Sequence, residues 1–316
     1  MKRIYYVLFA LIFLTIVCAG PKIDLRFNIK PGSVYNYKVT TEQQITQTIQ
    51  GNVVDMEQTI IMEYRYDVKE INEQGNTIVD IVYERIGYMQ DGPLGKIDYR
   101  SWEQNEEIPV LAQGFASLVD QGFTMEISSQ GSVVGITGAD KIIDKMIKDM
   151  DLPTSGGMTE GVKQSMQNQF GDAALKETMK SMFSIYPDKP VGVGDSWHAT
   201  WSMTKGFPMI LNNTWKIKAI NDTEVVLDIS TKVQSNKDAQ LTQIGGMEMS
   251  YDLSGEQTGS MVLDRITGWC TRSQLDQEFE GTIRASGGMF GEQEGLEWPI
   301  KVVGTITIES SDEEDR

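Results

Sequence analysis

The sequence predicts a mainly β (α+β) protein in which two similar antiparallel β units form one curved or barrel-like sheet, with a helical insert between them. Three observations predict this fold class. Long stretches alternate apolar and polar residues with a period of two, as half-buried strands do. Between residues 139 and 185 the apolar spacing becomes that of amphipathic helices. The turn and strand signals of the first half also return in the same order in the second half.

The first element, residues 1–19, has the layout of a secretory signal peptide. Lys2 and Arg3 form a basic start, the run 4–17 is apolar apart from one Thr, and Ala19 suits a peptidase pocket. The run is short for a membrane span, which needs roughly 20 residues. We expect cleavage after Ala19, export to the periplasm or the extracellular space, and no membrane span afterwards. An uncleaved signal anchor is an alternative.

Cys18 offers a second route, lipidation as in bacterial lipoproteins, with a product anchored at the cell envelope. That route needs Gly, Ala or Ser immediately before the Cys and usually a Leu two residues further back. Val17 and Thr15 occupy those positions. Because the β-branched Val17 fits a small pocket badly, we favour simple cleavage and keep lipidation at Cys18 as the alternative. Cleavage would leave Cys270 as a single cysteine, so no internal disulfide is expected.

The next element, residues 20–138, is the first predicted β unit. Polar and apolar residues alternate around Tyr37 and Val39. The turn signal Gly51-Asn52 then leads into a return run that keeps its apolar side chains on one face as far as Val68. Further hairpins with Gly turns follow, so we expect antiparallel strands that pair with their neighbours in sequence.

The third element, residues 139–185, is the predicted helical insert. Apolar residues recur at helical spacing from Ile142 onward, and Met158–Phe170 and Asp172–Phe183 indicate one or two more helices, with Asp172 as an N-cap. The insert is rich in methionine, which adapts to varied apolar partners. We favour ordinary packing of these helices over an open face or end of the sheet. A lid or groove for a lipid-like ligand or a protein partner is the sharper hypothesis.

The fourth element, residues 186–309, is the second predicted β unit, followed by an acidic tail at 310–316 that we expect to be disordered. Its motifs repeat those of the first unit in the same order, with changes in spacing at the turns. The matched pairs include Gly32 with Gly194, Tyr66 with Trp215, Val68 with Ile217, Asn72 with Asn221, Asp80 with Asp228 and Gly131 with Gly268. Their shared order indicates duplication of one β unit.

Composition limits the classes of function. The formal net charge is −17, which opposes binding to nucleic acid or to anionic lipid surfaces. One His and one mature Cys cannot build a soft-ligand zinc or copper site, and we predict no metal and no cofactor. The Gly-rich stretch 287–295 lacks the Lys and the following helix of a phosphate loop, so it is interpreted as a flexible loop.

The motif Gly194-Asp195-Ser196 resembles the nucleophile motif of one esterase family. Those enzymes need a turn into a helix and a downstream Asp-x-x-His, whereas here a strand follows and the chain's single His is His198. A strand-entry turn is the better interpretation, and His198 is expected on the polar face. We predict no catalytic residue. Paired carboxylates across a cleft would allow an extracytoplasmic hydrolase as the alternative; the acids considered are Glu103, Glu106, Glu107, Asp140, Asp144, Asp149 and Asp151.

Several turn and strand motifs resemble those of a family of exported bacterial β-rich proteins of unknown function, whose members are often lipoproteins. The motifs are Asp24–Asn28, Gly32–Tyr35, Gly122–Gly131, Tyr251–Gly255, Asp264–Gly268 and Trp298-Pro299 before the closing strand. The resemblance covers nearly all of the mature chain and brings no known catalytic residues. The poor lipidation signal at Cys18 departs from it. The expected function is therefore that of a non-enzymatic envelope protein that binds an apolar small molecule or another envelope protein.

Overall fold

The computed structural model describes residues 21–93, 95–104, 107–149, 163, 166–168, 170–205, 208–239, 241–244, 247–287 and 295–312. The strands are β1 (Val34–Ile49), β2 (Asn52–Ile71), β3 (Thr77–Gly92), β4 (Gly95–Arg100), β5 (Gly122–Ile127), β6 (Val133–Thr137), β7 (Ser196–Ser202), β8 (Met209–Ile220), β9 (Glu224–Ser235), β10 (Thr242–Ile244), β11 (Met247–Asp264), β12 (Cys270–Gly287) and β13 (Leu296–Asp312). The helices are α1 (Gln113–Ala116), α2 (Ala139–Asp149) and α3 (Asp172–Phe183), with a 3-10 turn at Val110–Ala112.

All thirteen strands belong to one antiparallel sheet, which confirms the mainly β prediction. Its order is β6-β5-β3-β2-β1-β13-β12-β11-β9-β8-β7, with β4 paired to β3 and β10 paired to β11. Among the described residues the end strands β6 and β7 do not pair with each other, so this is an open sheet and not a closed barrel. The sequence pattern had allowed either a curved sheet or a barrel-like one.

The two halves of the sheet join through β1 and β13. Their pairing runs from Tyr35 opposite Asp312 to Gln47 opposite Ile300. The prediction of a disordered tail is wrong for residues 310–312, because they continue β13 and share its ladder with β1. Residues 313–316 lie outside the described part of the chain.

The two halves enter their first strands, β1 and β7, through the same turn. In the first half the N–H of Gly32 donates to the carbonyl of Val68 at 2.8 Å, with φ of +84° at Gly32. In the second half the N–H of Gly194 donates to the carbonyl of Ile217 at 2.9 Å, with φ of +88° at Gly194. These are residues that the repeat pattern had aligned.

Other irregular features also recur. A β-bulge follows Val68 in β2, and another follows Ile217 in β8. The next Lys of each strand reaches the matched Asp of the following strand, at 3.5 Å for Lys69–Asp80 and 3.2 Å for Lys218–Asp228. Bulges and turns are properties that a duplicated unit would inherit. They support the duplication hypothesis, while the unit boundaries stay predictions.

The inner face of the sheet packs against the N-terminal segment 23–29 and the helices. Leu25 and Phe27 are buried in that segment, Leu25 among side chains of the second half and Phe27 among those of the first. From α3, Met179 and Phe183 pack against the first half. The expectation that the insert covers an open face is thus confirmed for α3. The predicted helix at Met158–Phe170 lies mostly outside the described residues.

Asp172 caps a different helix from the one predicted. It was expected to cap the helix that it begins, yet its Oδ1 accepts a hydrogen bond at 2.7 Å from the N–H of Ala139, the first residue of α2. Asp140 does the same for α3, because its Oδ1 accepts a hydrogen bond at 3.3 Å from the N–H of Asp172, the first residue of α3. Because each carboxylate satisfies free N–H groups of the other helix, the two acids join α2 and α3 at their N-terminal ends.

Candidate functional site

A cavity of about 350 Å³ lies between the inner face of the sheet and residues 181–186, which form the end of α3 and the segment after it. Residues of β1, β13, β12, β11, β9, β8 and β7 all contribute to its wall. In a flat sheet β1 and β7 would lie about 29 Å apart, at roughly 4.8 Å for each of six pairings. Since Thr41 of β1 and Trp201 of β7 line the same cavity, the sheet is strongly curved.

The cavity wall is mainly aromatic and aliphatic. Its apolar residues come from both halves of the sheet and include Tyr37, Val39, Trp201, Leu211, Trp215, Ile229, Met261, Trp269, Leu275, Ile306 and Ile308, with Met182, Phe183 and Tyr186 opposite them. The period of two explains this composition, because alternate residues of each strand point to the same face. The wall contains no charged side chain among the described residues.

Trp269 forms the aromatic end of the cavity. Its ring stacks on Tyr35 at 4.5 Å and on Tyr37 at 4.4 Å between centroids, and Tyr66 meets it edge-on at 5.3 Å. The indole Nε1 donates to the Ser310 hydroxyl at 2.8 Å. The turn before β12 therefore holds β1 and the end of β13 in place.

Tyr186 connects the two halves on the opposite wall. It packs against the hydrophobic clusters of both halves, and its hydroxyl donates to the carbonyl of Gly268 at 3.0 Å. Gly268 lies in the turn before β12 and has φ of +71°. The end of the insert is thus fixed to the turn that carries Trp269.

A row of uncharged polar side chains, here called the polar belt, crosses the inner face beside the cavity. Each member pairs across the ladder with the next: Gln90 of β3, Gln58 of β2, Gln43 of β1, Gly304 of β13, Gln277 of β12, Gln257 of β11, Thr231 of β9 and Asn213 of β8. Gly304 interrupts the row of side chains at its centre. Three members, Asn213, Thr231 and Gln257, also line the cavity.

Hydrogen bonds join the belt on both sides of Gly304. Gln43 Nε2 donates to Gln58 Oε1 at 2.7 Å, and Gln257 Nε2 donates to Gln277 Oε1 at 3.1 Å. Thr231 donates to Asn213 Oδ1 at 2.8 Å. Burying amides is unfavourable unless they are paired, so these bonds account for a polar row in an apolar face.

The ionisable groups around the cavity are held neutral. Burial raises the pKa of the Cys270 thiol to about 12, and the nearby Tyr37 hydroxyl acts in the opposite direction through a hydrogen bond. Burial also raises the pKa of Tyr37 and Tyr186 well above the ordinary value of 10.0. At neutral pH the cavity therefore carries no charge from these side chains.

These shifts predict that the protein loses stability in alkali. Unfolding returns Cys270 and Tyr83 to ordinary pKa values of 9.0 and 10.0, whereas each folded value is about 12. Above about pH 9 the unfolded chain releases protons that the folded chain keeps, so the free energy of unfolding falls by up to ~1.4 kcal/mol per pH unit for each group. Urea unfolding at a series of pH values measures this slope. Tyr83→Phe should make it shallower, and a curve that stays flat would contradict the assignment.

The residues of the esterase-like motif do not form a catalytic set. Asp195 Oδ2 accepts from the N–H of Gly192 at 2.9 Å and pairs with Lys22 at 3.0 Å, and this backbone bond and then Lys22 lower the pKa of Asp195. His198 Nδ1 lies 2.8 Å from the Thr214 hydroxyl on the exposed face of β7, away from the cavity. The motif is a strand-entry turn, as the sequence had indicated.

Three carboxylates of the hydrolase hypothesis have other partners. Glu103 pairs with Arg100 at 3.0 Å, Asp144 pairs with Lys163 at 2.8 Å, and Asp140 faces the N-terminus of α3. Glu106 and Asp151 lie outside the described residues, as do Ala19 and Cys18. Within the described part of the chain, no group of three or more His, Cys, Asp or Glu residues could hold a metal ion.

Sequence reasoning missed both the cavity and the polar belt. Gln43, Gln58, Gln257 and Gln277 occupy apolar phases of alternating strands, which is the one signal that could have singled them out. Their proximity depends on strand register, which the pattern of a single strand does not provide.

Comparison with known protein families found one family that matches this chain. Residues 74–270, more than half of the 316-residue chain, match a family of unknown function, DUF6263. The chain belongs to this family. The match to DUF6263 runs from the turn before β3 to the first residue of β12 and includes the insert. It confirms the expectation of a family without an assigned function. No curated protein matches the sequence.

Solved structures similar to this DUF6263 protein share little identity with it. Salmonella typhi OmpF in complex with daunomycin is 10% identical, with 87% of this chain and 98% of that chain covered and a TM-score of 0.23. The transport unit of the Escherichia coli autotransporter AIDA-I is 10% identical, with 90% and 92% covered and a TM-score of 0.21. A DUF1329 family protein from Desulfovibrio piger is 10% identical, with 84% and 83% covered and a TM-score of 0.14. We transfer neither location nor activity from scores this low.

One further observation concerns membranes. The helices found in the described ranges are all too short or too polar to cross a lipid bilayer.

Proposed function

We propose that this DUF6263 protein is an exported, non-enzymatic envelope protein that binds an apolar small molecule in the cavity beneath its sheet. The cavity itself carries the proposal. Its volume of about 350 Å³ falls in the range of ligand pockets, roughly 300–1,000 Å³, and its wall combines apolar side chains with a few polar groups.

The other depressions of the surface support this choice by contrast. The one between β3, β5 and α2 is open and lined by charged side chains, among them Asp80, Lys141 and Lys145. An apolar ligand would bind weakly to such a wall. It would displace water from the charged side chains and offer them no hydrogen bonds in return. The cavity beneath the sheet has no such cost.

Ligand binding is tested by filling the cavity. Ile306 lies in the cavity wall on β13, between Thr41 of β1 and Leu275 of β12. We expect Ile306→Trp to weaken binding of the neutral fluorescent probe N-phenylnaphthylamine about tenfold or more, because the indole occupies the space of the ligand. Fluorescence titration at constant protein concentration measures the dissociation constant.

Thr307→Trp is the matched control. Thr307 is the next residue of β13, so the same side chain is placed on the opposite face of the sheet. Binding by the Thr307 variant should equal that of the wild type. Equal affinity of the wild type and the Ile306 variant would exclude the cavity as the binding site, provided that thermal melting shows both variants folded.

Native mass spectrometry of protein purified from its own envelope tests the natural occupant. A copurifying apolar molecule supports the proposal, whereas a copurifying protein in its place favours the alternative of a protein partner. Mass analysis of the mature N-terminus tests export. A chain beginning at Gly20 supports cleavage after Ala19, and a diacylated Cys18 would show a lipid-anchored protein.

A further inference from the structure

The polar belt borders the cavity without closing its hydrogen bonds. Gln257 donates through Nε2 to Gln277, and within the described ranges its Oε1 accepts no hydrogen bond. The Thr41 hydroxyl also has no hydrogen-bond partner among the described residues. Both side chains are half-buried and line the cavity. Both groups are therefore open to a ligand in the cavity.

These two open groups define what a ligand must supply. Gln257 Oε1 is an acceptor, and the Thr41 hydroxyl can donate and accept. A ligand that satisfies both needs a donor of its own together with an apolar part for the aromatic wall. A hydroxyl group on an alkyl or acyl chain meets this requirement.

The charge of the surroundings excludes the commonest apolar ligand with a polar end, a fatty-acid anion. No Lys, Arg or His lines the cavity in the described part of the chain, and the whole chain has a net charge of −17. A carboxylate would therefore enter without a cation, and burial of an unpaired ion is far less favourable than burial of a hydroxyl. A phosphate group would meet the same obstacle.

We infer that the cavity selects uncharged amphiphiles, with the apolar chain against the aromatic wall and a hydroxyl-bearing end against Gln257 and Thr41. This inference rests on the proposed function, because it specifies the ligand of the same cavity. The polar belt is then the element that determines specificity.

Competition against bound N-phenylnaphthylamine tests the inference. Monodecanoylglycerol and decanoate have the same acyl chain and differ in the polar end. At neutral pH we expect monodecanoylglycerol to displace the probe at a concentration at least about tenfold lower than decanoate. Equal displacement, stronger displacement by decanoate, or displacement by neither would overturn the inference.

Substitution of a residue of the polar belt provides a second test of the inference. Gln257→Leu should reduce the advantage of monodecanoylglycerol over decanoate about fivefold, with the affinity of the variant for the probe measured first so that both competitors are compared on the same scale. Gln274→Leu is the control, since Gln274 is exposed on the outer face of β12. An unchanged advantage in a folded Gln257 variant would overturn the role of the belt.

The two proposals fail in different ways. If the probe does not bind to the wild-type protein at all, the proposed function is wrong and the inference falls with it. If the probe binds and Ile306→Trp abolishes binding, yet decanoate competes as well as monodecanoylglycerol, the inference alone is wrong.

Discussion

Trp269→Ala is expected to lower the free energy of unfolding by about 3–5 kcal/mol. The side chain is 3% exposed, stacks on Tyr35 and Tyr37, and donates its indole N–H to Ser310. Its removal leaves a void among rings that cannot close over it, because β1 and β13 hold them in a paired ladder. Guanidinium unfolding followed by far-UV circular dichroism measures the loss.

Trp102→Ala is the matched control for this change. The same atoms are removed from a side chain that is 42% exposed, so the expected cost is below about 1 kcal/mol. The comparison separates the effect of burial from that of a lost indole. Similar losses in both variants would show that Trp269 does not anchor the two halves of the sheet.

The second large effect is expected for Gly131→Ala, which should lower the free energy of unfolding by about 2–5 kcal/mol. Gly131 has φ of +73°, where an L-residue with a Cβ costs roughly 1–2 kcal/mol. An added Cβ would also overlap the carbonyl oxygen of Phe183 and the ring of Tyr186. Relief of that overlap would shift the end of the insert, which adds roughly 1–3 kcal/mol. Urea unfolding measures the sum.

Two other glycines sharpen this test. Gly75 has φ of +80°, but a Cβ there meets no atom within 4 Å, so Gly75→Ala should show the backbone cost alone. Gly268 is the repeat partner of Gly131, with φ of +71°, and its Cβ would overlap the carbonyl of Arg26. We expect Gly268→Ala to resemble Gly131→Ala. If all three variants lose the same stability, close packing of these turns is not what requires glycine.

These glycines also show why the repeat was visible in the sequence. A left-handed turn residue in close contact with a neighbouring backbone has few substitutes, so it marks its position clearly. The spacing of Gly131 and Gly268, together with that of Val68 and Ile217, therefore supports the duplication hypothesis. The direction of each hairpin followed from the alternation of apolar residues, which requires antiparallel neighbours joined by short turns.

The helical insert was predicted less completely. Its apolar spacing gave α2 and α3, whose bounds match the expected positions closely. The cap was assigned wrongly, because an Asp at the start of a helix is most often its own cap. Asp172 instead reaches α2, and the contact between the two helices that allows this is a tertiary one.

The candidate site depended on information that no local pattern contains. A period of two states which residues share a face, but not which strand lies beside another. The pairing of β1 with β13 joins opposite ends of the chain, and it places Gln43 and Gln277 in one row on either side of Gly304. Neither the polar belt nor its gap can be found without that pairing.

The sequence by itself determined the fold class and the face on which each strand buries its apolar residues. Each of these follows from local spacing, because strand and helix geometry repeat over a few residues. The tertiary structure alone decided the order of the strands and the curvature of the sheet. That curvature brings Thr41 of β1 and Trp201 of β7 around one cavity. It arises from the summed twist and long-range packing of thirteen strands, which no single strand encodes.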